Sequence, residues 1–355
     1  MSDERAGNSP RAPALTEAQL RDAERRLMSR VRKRGLKESL GLIQQAEKHL
    51  WPPHASLIIQ GFPDHGPDHS RRVAYYADQL LSDSVLKTLC SEEMFLLLAG
   101  IYLHDIGMQC PVAEEQDIRG RAEKLGAAFG KAFAKHSAPA YSPEEQNAIR
   151  KNHHYLSGAW IACAKRAGVG ELGAALEKIQ GELVDDLVDV CMYHSKLAID
   201  GCPSACTYRC VHKPGGRKRF VAALVRFADE LDIAANRVNL EAEGLDQLDP
   251  SDAMYFHLHH HTDVTFPKPG AVQVTIWLHP DDLRDYRRVI EIVYFEGSFV
   301  NKNKPVLEAL EPHSARPEVD EVVLPSNGEK VLPEKISKAL QARASGNDRS
   351  LARGS

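Results

Sequence analysis

The feature that most constrains the fold is the stretch LLLAGIYLHDIGM, which runs from Leu96 to Met108. Its first eight residues are typical of a buried helix, yet a histidine and an aspartate, His104 and Asp105, follow side by side. A buried aspartate without a partner costs several kcal/mol or takes up a proton. These two side chains therefore either face water or lie opposite a positive charge.

Length and composition allow a large core and exclude some classes of protein. The chain has 355 residues, 43% hydrophobic and 26% charged, and its formal net charge of -4 gives no overall basic field for bulk nucleic-acid binding. The N-terminus lacks the apolar segment of a signal peptide, and no apolar run is long enough to span a membrane. Seven scattered cysteines favour a reducing compartment, so we expect a cytoplasmic protein.

Hydrophobic periodicity predicts a mainly α-helical chain. Helices are expected over 16–34 and 36–50, from Pro67, from Ser91 to about Gly107, from the SPEEQ motif at 142–146, and over 153–167, 172–199 and 217–235. Alternation of period two predicts a β-hairpin, roughly 254–266 paired with 271–279, and 281–300 returns to helix. The expected domains are a disordered leader (1–15), a helical metal-binding domain (16–240), a hairpin and helical C-terminal extension packed on it (241–345), and a disordered tail (346–355).

Side chains that bind metal ions recur on these predicted helices. They are His65, His69, His104, Asp105, His153, His154, His194, Asp229 and Asp232. A cation at the centre of a helical bundle would keep the aspartates as carboxylates and use neutral imidazoles as ligands. Such an ion would explain the polar pair at the end of the apolar stretch.

The order His69, His104-Asp105 and Asp229 resembles the H…HD…D signature of the HD superfamily of metal-dependent phosphohydrolases. The surrounding sequences HSRRV, LHDIG and LVRFADELD are also similar to that family. The resemblance covers about residues 60–236 and implies an HD-domain helical bundle in which these four residues bind metal. The later hairpin resembles HD domains of bacterial signalling and conflict systems. His153 and His194 resemble the extra ligands of HD members that bind two metals.

The residue types agree with this chemistry. Mixed imidazole and carboxylate ligands suit one or two divalent ions, which can be Mn, Fe, Co, Ni, Zn or Mg. A bound ion lowers the pKa of its water and supplies hydroxide, with His104 and Asp105 at the reacting centre. Arg72, Lys196 and Arg237 lie near proposed ligands in the sequence, and we expect them to bind phosphate oxygens.

Some assignments stay open. His153 and His154 are alternative ligands of a second ion. Asp229 is favoured over Asp232, which lies on the same helix face and is expected to orient a ligand or a water molecule, or to bind substrate. His65, four residues before His69, is expected near the ligands or at the substrate.

Two other clusters are less specific. The spacing of Cys202, Cys206, Cys210 and His212 does not match the paired CxxC motif of zinc fingers. Surface display is the simplest interpretation of the strand histidines His257, His259, His260 and His261.

The expected function is hydrolysis of a phosphoester in a nucleotide or a single-stranded nucleic acid, and the net acidity favours a small nucleotide. One alternative is a non-catalytic regulatory module that binds metal or nucleotide. Another is an HD oxygenase, which holds two irons. A second copy of the chain, pairing through the hairpin edge, or a defence or signalling protein is the expected partner. No membrane association is expected.

Overall fold

A computed structural model of the protein describes residues 14–51, 57–59, 65–134, 136, 140–208, 216–233, 259, 262–278 and 299–325. The described chain is mainly α-helical with one small sheet, as predicted. The helices are α1 Glu17–Arg30, α2 Arg34–Leu50, α3 Pro67–Leu80, α4 Asp83–Thr88, α5 Ser91–Leu103, α6 Gln116–Leu125, α7 Pro143–Ala167, α8 Gly170–Glu177, α9 Gly181–Tyr193, α10 Lys218–Glu230, α11 Phe299–Lys302 and α12 Lys304–Leu310. The strands are β1 Thr262–Lys268, β2 Ala271–Leu278 and β3 Glu318–Pro325.

The described residues form two compact units. The helical unit contains α1 to α10 and also the later segment Pro305–Arg316. The sheet unit contains the three strands and α11. The expected domain boundary near residue 240 lies outside the described residues. The return of 305–316 to the helical unit was not anticipated, because these residues were assigned to the extension.

A local capping motif determines where the longest helix begins. The Ser142 backbone N–H donates to the Glu145 carboxylate at 2.7 Å, and the Glu145 N–H donates to the Ser142 hydroxyl at 3.3 Å. This capping box supports the helix start that was predicted at SPEEQ. The helix then continues without interruption through His153 to Ala167 and ends at Gly168, whose φ of 62° is left-handed.

The single helix predicted over 172–199 is two helices. α8 ends at Glu177 and α9 begins at Gly181. The Lys165 ammonium donates to the carbonyl oxygens of Leu176, Glu177 and Ile179, at 2.9, 2.9 and 2.6 Å. This side chain thus satisfies carbonyls at the end of α8 and just beyond it, which favours ending the helix there.

The apolar stretch ends as a helix sooner than predicted. α5 stops at Leu103, His104 caps it, and Asp105 has φ -104° and ψ 1° before a 3₁₀ turn over Ile106–Gln109. Every residue of α5 from Met94 to Leu103 is buried. The pair therefore lies at the C-terminal end of a core helix rather than in its middle.

The turn after α5 is attached to α7. The Gly107 N–H donates to the Ser157 hydroxyl at 2.9 Å, and that hydroxyl donates to the carbonyl oxygen of His104. The backbone N–H of Gly107 and the carbonyl of His104 thus both have hydrogen-bond partners, although the α-helix has ended here. This attachment brings the His104-Asp105 pair beside the middle of α7.

The predicted hairpin is present in the described residues. β1 and β2 are antiparallel, with Val264 opposite Val274. Residues 254–258, 260 and 261 of the expected first strand lie outside the described part of the chain. β3 pairs with β2 in parallel, an arrangement that the sequence analysis did not predict. Of the helix predicted over 281–300, residues 281–298 lie outside the described part of the chain. No described helix is both long and apolar enough to cross a membrane.

Candidate metal centre

Five helices of the helical unit bring metal-type side chains to one place. His69 lies on α3, His153 on α7 and Asp229 on α10. His104-Asp105 and His194 directly follow the ends of α5 and α9. All of these side chains are buried except that of Asp229, which is 23% exposed.

The first group comprises His69, His104, Asp105 and Asp229 and could hold a metal ion. The Nε2 atom of His69 lies 3.2 Å from Nε2 of His104 and 3.2 Å from Oδ1 of Asp229. Oδ2 of Asp105 lies 3.2 Å from the His104 Nε2 atom and 3.6 Å from that of His69. These are the four residues of the H…HD…D pattern.

The second group comprises Asp105, His153 and His194 and could also hold an ion. Oδ1 of Asp105 lies 3.3 Å from the Nε2 atom of each histidine, and the two Nε2 atoms are 3.0 Å apart. Asp105 thus directs one carboxylate oxygen to each group. A carboxylate that bridges two ions needs one oxygen directed to each of them, and Asp105 has this arrangement.

The hydrogen bonds of the imidazoles indicate which ring nitrogen carries the proton. In three of them Nδ1 bonds to the carbonyl oxygen three residues earlier: His104 to Ile101 at 2.8 Å, His153 to Arg150 at 2.7 Å, and His194 to Cys191. A carbonyl oxygen only accepts, so Nδ1 is the donor and Nε2 is left with its lone pair. In each case the lone pair belongs to the atom that faces Asp105.

A carboxylate orients the fourth imidazole. Nδ1 of His69 lies 2.6 Å from Oδ2 of Asp232, and the Arg72 guanidinium donates through Nε to both oxygens of that carboxylate, at 2.9 and 3.1 Å. Asp232 has no exposed surface. Its carboxylate therefore lies where a residue that orients the ligand His69 is expected, while Asp229 faces the first group.

The donor set fits a cation. Paired Nε2 atoms face each other across 3.2 Å in the first group and 3.0 Å in the second, beside carboxylate oxygens. When Nδ1 holds the proton, these facing atoms all present lone pairs, which repel one another unless a positive charge lies between them. Nitrogen and oxygen donors in this mixture suit first-row divalent ions.

The pKa shifts of these side chains also agree with a site that binds a cation. Burial alone would raise the pKa of Asp105, but the imidazoles of His104 and His65 outweigh it and hold the pKa well below its usual range. Burial lowers the pKa of His153 to about 4, so this imidazole is neutral near pH 7. Burial opposes protonation of His104 as well, but the Asp105 and Asp229 carboxylates raise its pKa well above its usual value. The first group thus attracts positive charge.

The other predicted site residues occupy different positions. Nδ1 of His65 lies 2.8 Å from Oδ2 of Asp105, so His65 contacts the shared ligand. His154 belongs to neither group, and its buried Nδ1 has no hydrogen-bond partner among the described residues. Burial lowers the pKa of His154 to about 2. Lys196 is exposed two residues after His194, and Arg237 lies outside the described residues.

The two less specific clusters are described only in part. Cys202 is buried, and the Cys206 N–H donates to the Gly216 carbonyl at 2.7 Å. His259 is buried and precedes β1, so it is neither on the expected strand nor displayed at the surface. The remaining members lie outside the described part of the chain: Cys210, His212, His257, His260 and His261.

Two supporting residues near the site were not among the site residues assigned from the sequence. Ser157 joins the turn after α5 to α7, as described above. Arg226 donates through Nη1 to the Leu197 carbonyl at 2.6 Å and so holds the segment that follows His194. Its place three residues before Asp229 on α10 was the available signal for Arg226.

The fold and the site define the class of the protein. It is an HD-type helical domain with a buried cluster of histidines and aspartates that could bind metal. The chain belongs to the HD-CE family, whose family model matches residues 59–290 and so includes both groups. Comparison with curated proteins and with solved structures found no match.

Proposed function

We propose that the protein is a divalent-metal-dependent phosphohydrolase that acts on a phosphoester of a nucleotide or nucleic acid. The observation that carries this proposal is the position of Asp105, whose two oxygens face two separate sets of imidazoles. A bridged pair of ions about 3.5–4 Å apart is an arrangement found in enzymes that transfer phosphoryl groups. Family membership supports the metal chemistry independently of this geometry.

The proposed ligands form two sets, one for each ion. His69, His104, Asp229 and one oxygen of Asp105 would hold the first, and His153, His194 and the other oxygen would hold the second. A bound divalent ion supplies acidified water near neutral pH and neutralises charge on a phosphoryl oxygen. The proposed metal is Mn²⁺ or another first-row ion, because four of the six side chains offer nitrogen.

The surrounding residues keep these ligands in one orientation. Asp232 and the three helix carbonyls hold the protons of the four imidazoles on Nδ1, away from the centre. His65 holds Asp105. Arg72 is committed through Nε to Asp232, so we assign it to positioning, whereas Lys196 remains a candidate donor to phosphate oxygens.

The first experiment is elemental analysis of the purified protein with phosphate-release assays in Mn²⁺. The substrate panel contains nucleoside phosphates and single-stranded oligonucleotides. We expect bound metal and turnover, both lost in Asp105→Asn because this variant removes the shared charge. Asp185→Asn, an exposed carboxylate on α9, is the matched control and should keep both.

Other outcomes separate the alternatives. Full metal content and turnover in Asp105→Asn would overturn the proposed site. Bound metal without hydrolysis of any phosphoester would favour a regulatory module. Bound iron with substrate-dependent consumption of oxygen would favour an oxygenase.

A further inference from the structure

The side chain of Ser157, on α7, contacts the backbone on both sides of Asp105. Its hydroxyl donates to the carbonyl oxygen of His104 at 2.5 Å and accepts from the backbone N–H of Gly107 at 2.9 Å. Ser157 is fully buried, so both bonds form away from water, where hydrogen bonds are electrostatically stronger. One hydroxyl therefore holds the backbone around the residue that directs an oxygen to each of the two groups.

These two bonds replace backbone bonds that are lost where α5 ends. In a continuing α-helix the His104 carbonyl would accept from the N–H four residues later. Here that N–H, of Met108, donates to the Asp105 carbonyl at 2.9 Å. Among the described residues, no backbone–backbone hydrogen bond uses the His104 carbonyl or the Gly107 N–H. Buried backbone groups without partners are costly, so the serine hydroxyl stabilises this turn.

Ser157 belongs to the helix that carries a ligand of the second group. It follows His153 by four residues on α7, so the two side chains lie on the same face, one turn apart. The turn packs directly against the helix backbone here, because a Cβ atom on Gly107 would lie 2.1 Å from the His153 carbonyl oxygen. The glycine permits the close approach, and the two hydrogen bonds of Ser157 fix it.

The imidazoles of the first group have supports that do not involve α7. Nδ1 of His104 donates to a carbonyl oxygen within α5, at 2.8 Å. Nδ1 of His69 lies 2.6 Å from a carboxylate oxygen of Asp232. Loss of the Ser157 hydroxyl would therefore leave these two imidazoles oriented, while it would release the turn around Asp105 from α7.

We infer that Ser157 is a positioning residue that lets the second ion bind beside the first. This inference rests on the metal binding in the proposed function and adds a dependence of the second site on one hydroxyl. Ser157 keeps Asp105 where its Oδ1 atom lies 3.3 Å from Nε2 of both His153 and His194. Both bonds of the hydroxyl go to backbone groups, so Ser157 is not itself a proposed ligand.

The first test is titration of Ser157→Ala with Mn²⁺, followed by calorimetry. The affinity for the second ion should fall about 10- to 100-fold, as is usual when a residue that orients a ligand is lost, and that for the first should change less than about threefold. Ser142→Ala is the matched control, because it removes a hydroxyl that accepts from the Glu145 N–H at the start of the same helix. It should keep both affinities.

Electron paramagnetic resonance gives a readout that a general loss of stability would not change. Two Mn²⁺ ions bridged by one carboxylate are exchange-coupled, and their spectrum differs from that of isolated Mn²⁺. At a concentration that just fills both sites of the unmodified protein, Ser142→Ala should also show the coupled spectrum. Ser157→Ala should show isolated Mn²⁺, and Ser157→Thr, which keeps a hydroxyl, should recover the coupled spectrum.

Three results of these measurements would overturn the inference. The first is a coupled spectrum with unchanged affinity for the second ion in Ser157→Ala. The second is an equal loss in Ser142→Ala, which would indicate general weakening of α7. The third is an equal loss in Ser157→Thr, which would indicate that the shape of the side chain matters rather than its hydroxyl.

Hydrogen exchange tests the attachment in the unmodified, metal-free protein, without any substitution. The amide of Gly107 should exchange at least about 100-fold more slowly than that of the exposed Gly130. Equal exchange rates of the two amides would overturn the inference even if the protein hydrolyses phosphoesters.

The metal measurements also separate this inference from the proposed function. Loss of the coupled spectrum in Ser157→Ala would support the positioning role even if no phosphoester is hydrolysed. Binding of a single Mn²⁺ by the unmodified protein would overturn that role, whereas phosphate release by the same protein would still support a hydrolase.

Discussion

At the residue scale, the position of Asp105 depends on its neighbours in the chain and in space. Its φ and ψ fall in the sparsely populated bridge region, where many active-site residues occur. The helix ends two residues earlier, at Leu103, and the side chain directs one oxygen toward His69 and His104 and the other toward His153 and His194.

Asp232 contacts the proposed ligand His69 and is not itself a proposed ligand, so substituting it tests how far this contact supports metal binding. In Asp232→Asn, the charge that holds Nδ1–H of His69 is lost, so we expect the affinity of the first group for Mn²⁺ to fall about 10- to 100-fold. The affinity of the second group should change much less, because its histidines bond to helix carbonyls. Titration with Mn²⁺, followed by calorimetry, measures the two affinities.

Glu230→Gln is the control for that prediction. It removes one negative charge from the same helix end, but Glu230 belongs to neither metal-type group. An equal loss of Mn²⁺ affinity in this variant would show that net charge, rather than the bond to His69, explains the effect of Asp232.

At the element scale, close approach of two backbones joins the turn after α5 to α7. A Cβ atom on Gly107 would lie 2.1 Å from the carbonyl oxygen of His153 and 2.7 Å from the backbone nitrogen of Ser157. Both obstacles are backbone atoms of a long helix, so neither can move away at small cost. The absence of a side chain at Gly107 is therefore what lets the HD pair reach His153.

Gly107→Ala should consequently destabilise the protein and separate the two groups. Overpacking of this kind typically costs about 1–3 kcal/mol. We also expect the variant to bind less metal at the second group, because Asp105 and His153 would move apart. Thermal unfolding and metal stoichiometry are the measurements.

Gly120→Ala on α6 is the matched control. A Cβ atom there meets nothing within 4 Å, and alanine favours a helix by about 0.5–1 kcal/mol over glycine. We expect equal or higher stability and unchanged metal content. Full metal binding and unchanged stability in Gly107→Ala would contradict the proposed role of the close approach.

At the scale of the whole molecule, the helical unit is built from two distant parts of the chain. Pro305–Arg316 belongs with Leu15–Asp232, although β1 and β2 lie between them in the sequence. Leu310 is fully buried, and the rings of Phe220 and His313 lie 4.8 Å apart. The later segment is thus part of the helical core.

Leu310→Ala should therefore destabilise the helical unit by about 2–5 kcal/mol, as expected for removal of a large side chain from a core. Urea unfolding of the full chain, followed by the helical circular dichroism signal, measures this change. Leu42→Ala is the control, because Leu42 is 45% exposed, and its effect should stay within about 0.5 kcal/mol. Equal small effects of the two substitutions would show that the segment does not stabilise the helices.

The elements that were predicted correctly are those whose signals are local. Ser142 and Glu145 define a helix start by contacts within one turn, and the period-two pattern around Gly270 defines a hairpin. The division between α8 and α9 was missed because Lys165, which binds the carbonyls at the end of α8, comes from a different helix. β3 was missed because each of its residues pairs with a β2 residue 47 positions earlier in the chain.

The same distinction holds for the metal centre. Residue types and order within the chain were enough to indicate the family and the ligands His69, His104, Asp105 and Asp229, since each belongs to a recognisable local motif. The sequence left His153 and His154 as alternatives, and only the tertiary structure places His153 rather than His154 beside Asp105. Adjacent residues on a helix point in different directions, and packing of that helix against its neighbours decides which of them faces the centre.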